Sequence, residues 1–335
     1  MTNNNNLINL WKIVAADKTT GLVKRLYSRG DSHPIYATFR YPSNSYGIAF
    51  SFGSKVNIDI SNFQNLKGFK VLLLNDTSFE DSKLLVVELQ DPSNKDVFAS
   101  LCEDLIQTVA PLDSQNKVAK TVINQLARWK KLFERSSSEG LSTSEQQGLY
   151  GELQFLQKCL SQKQANPYNV IKSWVGPEAN LRDFQGPTWA VEVKTTSKND
   201  TSVASISNEH QLDESLIEML FLFHCAVEVS LGNGETLNQK ISAIRQTLND
   251  NVPALYLFNL KLFEVGYFDQ HASKYESRHY KIRSESFYHI TKDFPRIKAN
   301  ELRNGVSEVK YNISLAMCDE YTTTENQLFN KIQNI

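Results

Sequence analysis

Three carboxylates and one ammonium have the spacing in this chain that could do chemistry. Glu192 and Lys194 stand two residues apart in Trp189-Ala190-Val191-Glu192-Val193-Lys194-Thr195-Thr196, and Asp183 lies nine positions before Glu192. Glu152 lies further upstream, in a segment that reads as a helix. Three hard oxygen donors with a lysine beside them suit a divalent cation and the activation of a water molecule. A lone Glu-x-Lys is more often a solvated pair worth under about 1 kcal/mol. Its company of acids is what argues for chemistry here. The lysine also offsets repulsion among them, so the set is coherent without a metal as well.

Each acid needs an element to position it. The stretch from Trp189 to Thr196 is β-type, rich in β-branched residues and free of breakers. Alternation puts Trp189, Val191 and Val193 on a core face and Glu192 and Lys194 on the other. Gly186-Pro187 is turn chemistry, so Asp183 should end one strand of a hairpin whose second strand carries Glu192 and Lys194. Ser142-Thr143-Ser144-Glu145 has the capping-box pattern and opens a helix with the stripe Leu149, Leu153, Leu156 and Leu160. Glu152 flanks that stripe and needs a partner: Lys158, a strand residue, or a cation shared with Asp183 and Glu192.

Glutamate on a helix, aspartate at a strand end and Glu-x-Lys on the next strand resemble the PD-(D/E)XK nuclease superfamily, over about residues 141–230. Arg182 stands where the superfamily's name has proline, at a loosely kept position. A glutamine-plus-tyrosine element of some branches is half present: Gln211 follows, but Ser215 stands where the tyrosine would be. The whole chain, including Phe294-Pro295-Arg296-Ile297, looks like a bacterial group of PD-(D/E)XK motif proteins found among phage-defence and restriction genes.

The resemblance implies an α/β fold (α+β overall), a restriction-endonuclease-like mixed sheet flanked by helices on both faces, and the residue patterns add further β-rich regions at both ends. It implies a metal-dependent DNA endonuclease with Glu152, Asp183, Glu192 and Lys194 as catalytic residues. Mg2+, with Mn2+ as a substitute, would be held by Asp183, Glu192, the Val193 carbonyl and Glu152. Lys194 would orient or activate the water, with Gln211 behind it; His210, close in sequence to these residues, is a further candidate beside the site. DNA is the expected substrate, and proteins of the same defence operon are the expected partners. The alternative is a noncatalytic nuclease-fold subunit that binds DNA or assembles partners.

The 335 residues suffice for two or three domains, and 41% hydrophobic with 22% charged is ordinary globular composition. A formal net charge of −1 advertises no whole-chain basic field, so any nucleic-acid footprint must be local. Four scattered cysteines without a Cys-x-x-Cys pair argue against a zinc site or disulfide framework and fit a reducing cytoplasm. No apolar run approaches a membrane span, and the Asn-rich start lacks a signal-peptide core.

Taken in order, residues 1–95 read as an antiparallel β-rich domain after a frayed start at 1–6. Residues 96–140 read as connecting helices, 97–109 and 117–133, ending in a linker at Ser136-Ser137-Ser138 and Gly140. The nuclease-like core is expected over 141–250, with strands near 169–175 and over Met219–Ser230, a mobile loop from Lys198 to His210, and a helix over 237–248. His224 reads as a hydrogen-bonded core histidine. Residues 251–335 are expected to be β-rich, with strands at 255–265, 279–283, 287–291 and 309–315. Within them Lys281, Arg283, Arg296 and Lys298 are interleaved with Tyr280, Phe287 and Tyr288, a pattern that suits phosphates and bases. An ordinary strand pair with a basic outer face is the competing reading. The basic face of the 117–133 helix is a second candidate rail for phosphates.

Overall fold

The computed structural model describes residues 7–28, 33–64, 66, 68–136, 140–178, 180–215 and 217–332. Residues 1–6, expected to fray, and the linker residues Ser137 and Ser138 therefore lie outside the described residues. The chain divides into two compact units, Met1–Ser138 and Glu139–Ile335.

In the first unit, α1 (Leu7–Ala15) precedes the strands β1 (Gly21–Ser28), β2 (Ile35–Tyr41), β3 (Ser45–Gly53), β4 (Phe69–Asn75) and β5 (Ser82–Leu89). They form one antiparallel sheet in the order β1-β2-β3-β5-β4. Helices α2 (Lys95–Val109) and α3 (Gln115–Ser136) follow. Gly47 has to be glycine, since a Cβ there would sit 2.4 Å from Thr38 Oγ1 and 2.7 Å from the Val87 carbonyl oxygen. The Trp11 indole of α1 donates to the Gly47 carbonyl at 2.8 Å, tying helix to sheet.

The second unit is built from α4 (Thr143–Leu160), α5 (Pro167–Ser173), β6 (Phe184–Gln185), β7 (Trp189–Thr196), β8 (Val203–Ile206), β9 (Met219–Ser230), β10 (Glu235–Thr236), α6 (Leu237–Thr247), α7 (Val252–Glu264), β11 (His279–Ile290), β12 (Tyr311–Ser314), β13 (Thr322–Thr323) and α8 (Glu325–Lys331). Its main sheet runs β10-β11-β9-β7-β6, with β13 on β11. It is mixed: β7 lies parallel to β9 and the other pairs are antiparallel. Trp189, Val191 and Val193 face a core shared with Leu149, Leu153 and Leu156 of α4 and Ile241 and Ile244 of α6. Ala190, Leu220 and Leu222 face the opposite way, onto Ala204 and Ile206 of β8 and Ile313 of β12. The helices thus stand on one face, not on both as expected, because a two-stranded β8–β12 layer with short turns covers the apolar residues of the other.

Several expected elements need correction. The strand near 169–175 is helix α5, because the Asn166 side chain caps the Tyr168 and Asn169 amides and Pro167 suits a first helical turn. The strand at 255–265 is helix α7 for the same reason: Asn251 caps the Ala254 amide and a proline follows in the first turn. The loop from 198 to 210 contains β8, paired with β12. The two strands at 279–283 and 287–291 are one, β11, with a register shift between Ile282 and Ser284. That bulge falls at Arg283, and Lys281 and Arg283 are both exposed on the strand.

Candidate active site

Ser142 closes a full capping box with Glu145 at the start of α4, which sets the register that carries Glu152 toward the sheet. Gly151 lets the helix come close: a Cβ there would lie 1.7 Å from Thr195 Oγ1 on β7. The hairpin forms as its turn chemistry requires, with the Gly186 amide donating to the Trp189 carbonyl at 2.8 Å. Strand β6 pairs only with Ala190 and Val191, so β7 has an open edge beyond Val191. The acids gather along that edge.

Asp183 Oδ2 accepts the Val193 amide at 2.7 Å. Glu152 Oε2 accepts the Trp174 indole Nε1 at 2.7 Å, and not Lys158, whose ammonium pairs with Glu285 and Glu325 at 2.8 Å each. Both carboxylates close on Gly176, where a Cβ would meet Asp183 Oδ1 at 3.1 Å and Glu152 Oε2 at 3.2 Å. Glu192, 1% exposed, has Oε1 at 2.7 Å from Lys194 Nζ. That contact is an ion pair, and among the described residues the buried Glu192 Oε2 has no hydrogen-bond partner. Lys194 also donates to Gln211 Oε1 at 3.1 Å, and the same oxygen accepts the Ser207 amide at 2.8 Å.

The electrostatics follow from burial. It raises the Glu152 carboxyl well above the usual carboxylate range, with the Asp183 charge adding to it. Asp183 is raised by burial against the pull of Lys194 and the Val193 amide. Glu192 is pushed up to about 8, by burial first and then by Asp183. For Lys194, burial works against the ammonium, but Glu192, Asp183 and Glu152 outweigh it and hold its pKa above the ordinary value. Arg182 is buried next to this group, donates to the Asp213 carbonyl oxygen, and has its pKa lowered by burial while Glu192 opposes the shift. Three carboxylates against Lys194 and Arg182 leave one negative charge uncompensated when all are ionised.

The hard oxygen donors and the unpartnered Glu192 Oε2 fit a hard divalent ion once the carboxyls are ionised. Among the described residues, no three His, Cys, Asp or Glu side chains are grouped closely enough to hold an ion as they stand. The geometry gives the reason: Glu192 is turned onto Lys194 while Glu152 and Asp183 meet at Gly176.

The family model described as "Putative PD-(D/E)XK family member, (DUF4420)" matches residues 7–316. The chain belongs to this family. No curated protein and no solved structure matches it. The PD-(D/E)XK family match spans both compact units of the chain. No helix among the described residues is long and apolar enough to cross a membrane.

The other candidates lie elsewhere. His210 is half exposed and its ring faces Glu209 at 3.5 Å, not the acids. Lys281 is exposed and lies opposite Glu228 on β9. Arg283 donates to the Lys198 carbonyl oxygen. Arg296 has a side chain only 1% exposed and pairs with Glu214 at 2.5 Å, and Lys298 reaches the same carboxylate at 3.2 Å. These last two pin the 207–215 segment, which also supplies Gln211 to Lys194 and the Asp213 carbonyl to Arg182. His224 is buried with a hydrogen bond to the Val203 backbone, its Nε2 has no partner among the described residues, and burial lowers its pKa to about 4.

Sequence reasoning missed Trp174, Gly176 and Arg182 as parts of the site. Gly176-Pro177 is visible turn chemistry. Nothing local announces that Trp174 would reach Glu152.

Proposed function

We propose that the chain is a metal-dependent DNA endonuclease that hydrolyses phosphodiester bonds. The observation that carries this reading is the meeting of Glu152, Asp183 and Glu192-x-Lys194 at one open strand edge in a PD-(D/E)XK family member. Asp183, Glu192 and the Val193 carbonyl would hold Mg2+ or Mn2+, with Glu152 completing the set. When bound, the ion neutralises phosphate charge and makes a water molecule easier to deprotonate. Lys194, freed from Glu192, would balance charge on the phosphate and orient the attacking water. Gln211 holds the lysine in place for this, and Arg182 offsets charge behind Glu192. Ionised carboxylates are the ligand form, so binding of the ion would release the protons that burial holds on them.

A role in bacterial restriction or anti-phage defence, with protein partners from the same operon, is the further reading that the family resemblance supports. A second function has one observation in its favour. Glu192 is locked on Lys194 with the three acids not gathered to ligand distance, which suits a noncatalytic nuclease-fold subunit. Incubating the purified chain with plasmid and linear DNA, with Mg2+ or with chelator, separates the two. Cleavage that needs the metal and is lost in Asp183→Asn supports the nuclease, and DNA binding without cleavage supports the subunit.

A further inference from the structure

A buried lysine on α7 stands behind the carboxylates. Lys261 is 1% exposed, and its ammonium donates to the Trp174 carbonyl oxygen and to Glu178 Oε1, the latter at 2.7 Å. The Trp174 indole in turn donates to Glu152 Oε2 at 2.7 Å. The turn that follows Trp174 is pinned from its other side, where the Val175 and Gly176 amides donate to the Asp183 carbonyl oxygen at 2.8 and 2.9 Å. Gly176 then forms the close floor against which both Asp183 Oδ1 and Glu152 Oε2 rest. One short turn thus touches two of the three acids, and one ammonium holds that turn to α7.

An apolar side chain would suit this core better. Burying an ammonium costs several kcal/mol unless its protons are bonded, and the neighbours Phe258 and Leu262 are apolar and buried. What lysine adds is a directed bond to the Trp174 carbonyl, which fixes the backbone from which the indole projects. The ring plane is then set from two sides, by that bond and by contact with Phe258, 6.0 Å away between ring centroids.

We propose that Lys261 is a positioning residue for the site: it fixes Trp174, and Trp174 aims Glu152. The metal-affinity part of this inference rests on the proposed function, whereas the structural part does not. The chain has four tryptophans, so the 15N-labelled full-length protein gives four indole N–H signals, and Trp174→Phe identifies the one that matters. In Lys261→Met that signal should move toward its position in Glu152→Gln while the other three stay. Mn2+ affinity by titration calorimetry should fall about ten- to a hundredfold, the usual cost of losing a residue that orients a ligand. Combining Lys261→Met with Trp174→Phe should weaken the ion no more than Trp174→Phe alone. A folded Lys261→Met protein with an unmoved Trp174 signal, or additive losses in the double variant, would overturn the proposal. Should Lys261→Met fail to fold, Glu178→Ala removes the second anchor of the same ammonium at a part-exposed position. It should move the same signal by less, and no movement there overturns the proposal equally. A wild-type chain that binds no Mn2+ would count against the nuclease reading, while the indole signal still decides about Lys261.

Discussion

The Val193 amide donates to Asp183 Oδ2 at 2.7 Å, so a carboxylate just before one hairpin strand caps the open edge of the other. Val193 sits between Glu192 and Lys194, and this bond therefore fixes the aspartate relative to both. It also leaves Asp183 Oδ1 turned toward Gly176 and Glu152.

Gly176→Ala should disturb the site more than the fold. The new methyl group would press on Asp183 Oδ1 at 3.1 Å and Glu152 Oε2 at 3.2 Å, and either carboxylate must give way. The expected outcome is a higher Mg2+ concentration for half-maximal cleavage, with the unfolding free energy changed by less than about 1 kcal/mol. An unchanged metal requirement would show that Glu152 and Asp183 do not share an ion.

Proton linkage at the acids gives a stability prediction. An unfolded glutamate ionises near 4.5, whereas folded Glu192 keeps its proton to about 8. Between those values the folded chain binds more protons than the unfolded chain, so stability falls as pH rises. Glu152 and Asp183 are shifted in the same direction and steepen the fall. In chelator, this site should lower the unfolding temperature from about pH 5 to pH 8, and Glu192→Gln should flatten the decline. Mg2+ should stabilise the protein more at pH 8 than at pH 6, because the ligands must lose their protons. Equal stabilisation at both values would count against these acids as the ligands.

How much of this was legible depended on how local each cause is. The capping box of α4 lies within four residues, and the alternation of β7 within eight, so both could be read directly. Leu255, Leu257 and neighbouring apolar residues look like a strand, but Asn251 and Pro253 start a helix and decide the matter. Asn166 and Pro167 do the same for α5, and these paired signals were present in the sequence but outweighed by the apolar runs after them. The Trp174–Glu152 and Lys261–Trp174 bonds join residues 22 and 87 apart, and they arise only when α4, α5 and α7 pack together.

The basic C-terminal residues should separate into two classes. Arg296→Ala removes a buried partner of Glu214 and should destabilise the protein by about 2 kcal/mol in denaturant titration. Lys281 and Arg283 lie on the surface of β11. If they contact phosphates, changing both to alanine should weaken DNA binding and flatten its salt dependence by roughly one unit of slope per contact. An unchanged slope would make that strand an ordinary surface, and the basic face of α3 the next place to test.

The most direct measurement is Mg2+-dependent cleavage of plasmid and linear DNA by the purified full chain and by Asp183→Asn, Glu192→Gln and Lys194→Met. Wild type should cleave, chelator should abolish that cleavage, and each folded variant should lose nearly all of it. The triple variant should be little worse than any single one, because groups acting as a unit are not additive. A folded wild-type protein that binds Mg2+ and DNA but leaves both substrates intact, or variants that cut as well as wild type, would contradict it.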